Sequence, residues 1–181
     1  MEGYIKMDKK HLIITSITLG IIAASSALLI GVTNLITKDK ISQNEKEKIV
    51  IGIKAIFGSG SKVTEESPIN ESNFAGEYKY INYVYTISDN SDVLIGYAFK
   101  TSGSNNFGKI TMLVGYTSTK IYKSVYMIND EQTFASTLED EYVAKITDNP
   151  DYQDVDVHCG ATYGATLVKE MIEEVKGAVN K

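Results

Sequence analysis

A single cysteine, Cys159, serves the whole chain, and that scarcity excludes an intrachain disulfide and any metal site built from several thiolates. Histidine is nearly as rare. With only His11 and His158 present and carboxylates scattered along the chain, a histidine-based metal centre is not expected. Basic clusters are missing too: the net charge is −5 and no lysine run lies on a recognisable nucleic-acid motif, so nucleic acid is not an expected partner. Tryptophan is absent and proline occurs twice, against twelve tyrosines, a bias that with many Ile, Lys and Asn suits an AT-rich bacterial genome.

Charge is absent altogether from Leu12 to Thr37. Twenty-six helical residues at about 1.5 Å each reach roughly 39 Å, more than the ~30 Å hydrocarbon core of a bilayer. A cleaved signal peptide is the rival reading, because Lys6, Lys9 and Lys10 form a basic start and Ala23, Ala24 and Ala27 offer small residues. The run stays apolar through Leu28 to Val32, beyond any such cut, which favours a retained anchor. Lysines before the span are balanced by Lys38, Lys40, Lys46 and Lys48 after it, so the positive-inside rule does not set the orientation. The expected organisation is a short tail over 1–11, a transmembrane helix over 12–37, a linker helix over 38–60 and one domain over 61–181.

The linker helix is carried by Ile49, Ile53, Ile56 and Phe57 on one side and ends at Gly58-Ser59-Gly60-Ser61. Lys62 to Glu77, with Pro68, Asn70, Ser72 and Gly76, reads as a polar surface loop. Four strand candidates follow: Lys79 to Ile87, Val93 to Lys100, Lys109 to Tyr116 and Lys120 to Ile128. Thr117-Ser118-Thr119 joins the last two as an antiparallel hairpin. Phe134, Leu138 and Tyr142 at i, i+4, i+8 mark a helix closed by Asp148-Asn149-Pro150-Asp151. The fold class is therefore α+β, an antiparallel sheet flanked by helices, with one N-terminal transmembrane helix. Tyr78, Tyr80, Tyr83 and Tyr85 read as strand residues, and Glu139-Asp140-Glu141 and Glu173-Glu174 as solvated helix faces. His158 beside Cys159 is no nucleophile and base pair, since chain neighbours seldom face each other and no third orienting group is indicated.

The last helix is plain in Leu167, Val168, Met171, Ile172, Val175 and Val179 on one face, with Lys169, Glu170, Glu173, Glu174 and Lys176 on the other. Cys159-Gly160-Ala161-Thr162-Tyr163-Gly164-Ala165-Thr166 opens it, three positions after Asp156. Glycine permits close backbone approach to a ligand, and a helix start aims unpaired N–H groups and a positive dipole end at an anion. Thr162 thus sits at or beside the N-cap, where its hydroxyl either caps the helix or serves as an attachment point for a phosphate-bearing group.

Asp156-Val157-His158-Cys159-Gly160-Ala161-Thr162, with Thr166 as a trailing hydroxyl, resembles the flavinylation motif Asp-x-x-Ser/Thr-Gly-Ala-Thr of the FMN-binding domain family. That family includes the G subunit of the Rnf ferredoxin:NAD oxidoreductase and the C subunit of the sodium-pumping NADH:quinone oxidoreductase. The resemblance implies FMN as cofactor, moved by a flavin transferase from FAD onto Thr162 through a phosphoester. Asp156 would be read by the transferase. Cys159 stands where the family has Ser or Thr, and Gly164-Ala165-Thr166 repeats the triplet with Gly160 in place of the aspartate. Gly96-Tyr97, the Gly103 to Gly108 turn and Val114-Gly115 are similar to the family's strand pattern. Where the family has Glu-Thr-Pro-Gly-Leu-Gly beside the ring, this chain has Glu131-Gln132-Thr133-Phe134-Ala135-Ser136, of which Glu131 and Thr133 match weakly.

The resemblance implies a membrane-anchored electron carrier with no catalytic residues of its own. It would be a G-type subunit of an Rnf-like ion-translocating complex, partnered by other membrane subunits, with its flavin domain outside the cytoplasm. The C-type subunit of the sodium-pumping enzyme, or a free-standing extracellular electron shuttle, are the alternatives. From a different class comes a non-redox, membrane-anchored binding module in which Thr162 is only a cap. Cys159, Gly160, Ala161, Tyr163 and Thr166 would accompany Thr162 at the cofactor.

Overall fold

In the computed structural model, residues 9–181 are described, with the side chains at 35–39, 41 and 42 excepted. Residues 1–8 of the expected tail, Lys6 among them, lie outside the described residues. The chain divides into two units, 1–45 and 46–181. The span and linker helix expected separately form one helix, α1 (Lys9–Phe57), whose last turns belong to the second unit.

In the first unit, Lys9–Asn34 is long and apolar enough to cross a membrane. Four of its hydroxyls are satisfied by the helix itself: those of Thr15, Thr18, Ser25 and Ser26 donate to the carbonyls of His11, Ile14, Ile21 and Ile22 at 2.7–2.9 Å. In hydrocarbon, where no water is present to serve a hydroxyl, that arrangement gives these four donors an acceptor within the helix.

In the second unit, five strands form an antiparallel sheet in sequence order: β1 (Lys62–Pro68), β2 (Ile81–Ser88), β3 (Leu94–Asn105), β4 (Gly108–Thr117) and β5 (Tyr122–Asp130). The four strand candidates read from the sequence are β2 to β5. The expected loop over Lys62 to Glu77 instead contains β1 and a short 3₁₀ turn, Ile69–Glu71. β1 pairs with β2 through Val63↔Ile87 to Pro68↔Tyr83, with a bulge between Val63 and Glu65. Its first five residues are exposed, so side-chain pattern contributes little there and the backbone ladder holds it. Pro68 and the glutamates also blunt this free edge against further pairing.

Alternation along β4 feeds two cores. Ile110, Met112, Val114 and Tyr116 face the larger cluster, which includes Phe99, Leu138, Ile146, Val168, Met171, Ile172 and Val175. Leu113 faces the other cluster, where Ile49, Ile53 and Ile56 of α1 pack with Tyr85, Ile87, Ala98 and Ile128. α1 ends at Gly58, whose left-handed φ of +100° lets its N–H close onto the Lys54 carbonyl at 2.9 Å. After β5, α2 (Ala135–Leu138) runs into a π-helical turn (Glu139–Val143) and α3 (Ala144–Ile146). A 3₁₀ turn, Tyr152–Asp154, precedes α4 (Thr162–Val179).

Three acidic groups expected to be only solvated have partners, Glu173 among them through Gln153 Nε2 at 2.9 Å. Glu174 accepts the backbone N–H groups of Lys79, Tyr80 and Ile81 at 2.6, 2.7 and 3.2 Å, fixing the entry to β2 onto α4. Glu141 accepts the Gly160 amide at 2.9 Å and ties the π-helical turn to the loop before α4.

Candidate functional site

Three segments meet at the start of α4: the turn between β3 and β4, the stretch after β5, and the loop 155–161. The loop is shaped first by Asp156, whose Oδ1 accepts the His158 backbone N–H at 2.9 Å and the ring Nδ1 at 2.6 Å. Those bonds, the backbone one foremost, hold the Asp156 carboxyl below the usual carboxylate range. The Asp156 side chain is 72% exposed, open to a macromolecular partner. His158 therefore pairs with Asp156 and not with Cys159.

The Thr162 hydroxyl donates to the Cys159 carbonyl at 2.7 Å and receives the Cys159 N–H at 3.3 Å. The residue preceding the helix is Ala161, and no side chain caps it. Thr162 is thus the first helical residue, and its hydroxyl is spent on the loop behind it, not on the amides of its own helix. The helical ladder begins with Ala165 N–H to Ala161 O at 3.0 Å, leaving the amides of Thr162, Tyr163 and Gly164 without helical partners. No acidic residue occupies that first turn. The positive end of the α4 dipole accordingly faces the loop unopposed from within the helix.

Beside Thr162 lies a cleft of about 240 Å³, lined by Phe107, Gln132, Phe134 and the backbone run Gly160 to Gly164. Its walls are aromatic and open: Tyr163 is 70% exposed, Phe134 53% and Phe107 39%. The Phe107 and Tyr163 rings stack with centroids 5.2 Å apart and planes 27° from parallel. Amides fix them there. Asn105 Oδ1 accepts the Phe107 N–H at 2.8 Å, Asn105 Nδ2 donates to the Tyr163 carbonyl at 3.2 Å, and Gln132 Nε2 donates to Asn105 Oδ1 at 3.1 Å and Gly108 O at 2.6 Å.

Two glycines permit this closeness. A Cβ on Gly164 would stand 2.9 Å from Leu138 Cδ2, so the first turn of α4 packs directly against α2. Gly108 has φ +142° and a Cβ there would run into the Glu131 carbonyl oxygen, so the turn after β3 passes under the exit of β5 only as glycine.

Of the residues singled out in the sequence, Gly160, Ala161, Thr162 and Tyr163 line the cleft. Cys159 takes part through its backbone, bracketing the Thr162 oxygen from both sides, so a thiol in place of a hydroxyl costs that geometry nothing. Thr166 lies one turn on, exposed, its hydroxyl donating to Thr162 O at 2.8 Å. Glu131 and Thr133 do not line the cleft: Glu131 Oε1 accepts Asn129 Nδ2 at 2.9 Å, and the Thr133 hydroxyl donates to Phe107 O at 3.4 Å. The residue between them, Gln132, does line it. Phe107 and Phe134 complete the walls and were not anticipated there: an aromatic in a turn carries no periodic signal, and Phe134, expected on the helix face with Leu138 and Tyr142, instead precedes α2 and is exposed.

Residues 6–49 match the family model described as the RnfG N-terminal region. The chain thus resembles the G subunit of the Rnf complex over residues that end well before the Thr162 loop, independently of the motif there. No curated protein matches the chain.

Proposed function

We propose that this chain is a membrane-anchored electron carrier bearing FMN on Thr162, and that it serves as the G-type subunit of an Rnf-like ion-translocating ferredoxin:NAD oxidoreductase. The RnfG-type N-terminal region supports an Rnf-type membrane subunit that works with the other subunits of its complex. The observation that carries the flavin reading is the state of Thr162. Its hydroxyl leaves the helix uncapped, and the residue lines a cleft with aromatic walls at the start of a helix whose first three amides have no helical partner. An N-cap role, the simplest alternative for a threonine here, does not describe that geometry.

The residues present fit the group. The phosphate of a phosphoester on Thr162 Oγ1 would meet the first-turn amides and the helix dipole, a favourable setting for an anion. The flat rings of Phe107, Phe134 and Tyr163 offer faces to a planar heteroaromatic system, and the cleft suits one ring system and not an entire nucleotide. When bound, the flavin supplies one- and two-electron redox chemistry. The protein attaches the cofactor, orients it and sets its surroundings, and the opening of the cleft to solvent suits exchange of electrons with a partner. The Thr162 hydroxyl must release the Cys159 carbonyl on esterification, because the donated hydrogen is the one replaced.

Co-expression of the full chain with a flavin transferase should yield a protein heavier by one FMN residue, with the added mass on the peptide containing Thr162. Thr162→Ala should fold with an unchanged melting profile and carry no covalent flavin. Retention of flavin by Thr162→Ala, or its mapping to Thr166, would overturn the assignment.

A further inference from the structure

The amide network around the cleft fixes which atom of Gln132 is left to face a ligand. Gly108 O can only accept, so the side-chain atom 2.6 Å from it must be Nε2. Asn105 is fixed in the same way, since its Oδ1 accepts the Phe107 backbone N–H, and that oxygen takes the second Gln132 hydrogen. Both Gln132 donors are then committed. The remaining Oε1 lies 3.4 Å from where a Cβ on Gly164 would stand, on the wall of the cleft, and has no hydrogen-bond donor among the described residues. The residue is only 8% exposed. It is a preoriented acceptor in a mostly apolar cleft, and its complement is a ligand N–H donor.

On the reading that Thr162 carries FMN, the ligand is a flavin, and its oxidised ring has a single ring N–H, at N3. The carbonyl oxygens on either side of N3, and N5, present lone pairs that Oε1 would repel. We propose that Gln132 is the positioning residue that fixes the ring by accepting the N3–H through Oε1, with Asn105 and Gly108 O holding the carboxamide in that sense. Gln132 acts on the cofactor's orientation and takes no part in its attachment.

The test is a spectrophotometric pH titration of N3–H ionisation on the full flavinylated chain in detergent, compared with free FMN and with flavinylated Gln132→Met. A hydrogen bond to the neutral N–H should hold the N3 proton in the wild type to a pH about one unit above the variant, a roughly tenfold change in ionisation constant. Gln132→Met should keep covalent flavin on Thr162. Superimposable titrations of wild type and variant would overturn the role of Gln132 while leaving the attachment intact. Absence of flavin from the wild type would overturn the attachment itself, and the inference with it. If Gln132→Met does not fold, Asn105→Ala, which frees the carboxamide, should show the same direction of shift. If neither variant folds, the wild type against free FMN decides, an unshifted curve refuting the proposal.

Discussion

Asp156 is placed so that it could be read during maturation without holding up the fold. Its carboxylate is exposed, and its partners are the backbone and ring of its own near neighbour, His158. Removing it loses one local turn and no core contact. Asp156→Ala should therefore melt within experimental error of the wild type while incorporating much less flavin, read as in-gel flavin fluorescence after denaturation. Full labelling of a normally folded variant would show that the transferase does not read this side chain. The same residue scale shows what the sequence could carry about the site. The run from Asp156 to Thr162 is contiguous, so its order alone conveys which residues lie together. Gln132 and Phe107 reach the cleft only because β3, β4 and β5 return to the start of α4, and such convergence has no local signature. Glu131 and Thr133 were favoured over Gln132 by residue matching, yet the chain leaving β5 aims the middle residue inward and its neighbours out.

At the scale of elements, legibility follows from how strongly packing is written into side-chain period. β4 alternates between two cores and α4 repeats every three or four residues, and both were plain in the sequence. β1 was missed because its first five residues are exposed, so it has no buried face to produce alternation and depends on hydrogen bonds to β2. The helical stretch after β5 was foreseen, but not its π-helical turn, which inserts a residue into the ladder without altering composition. The end of α1 behaves as an ordinary core element of the second unit: Ile53 is fully enclosed with Ile49, Ile56, Leu113 and Ile87, and Lys48 Nζ donates to Ile128 O at 2.9 Å on the outer strand. Ile53→Ala should destabilise this unit by about 2–5 kcal/mol, the usual penalty for emptying such a site. Chemical denaturation followed by tyrosine fluorescence or circular dichroism reads the change. Stability equal to the wild type would mean that these turns of α1 do not support the sheet.

For the molecule as a whole, the open question of direct functional consequence is on which side of the membrane the second unit works. Lysines on the two sides of the span are balanced, so the charge rule exerts little bias. The covalent attachment proposed for FMN would suit an outward domain, where a flavin released from an open cleft would be lost and not replaced from the cytoplasmic pool. The expected topology is therefore an uncleaved span with the N-terminus in the cytoplasm and the second unit outside. Protease added to intact cells lacking a wall should digest the domain and spare a short N-terminal tag. A protected domain would place Thr162 and its cleft on the cytoplasmic side instead. A mature protein beginning near Leu28 would show a cleaved signal peptide in place of an anchor.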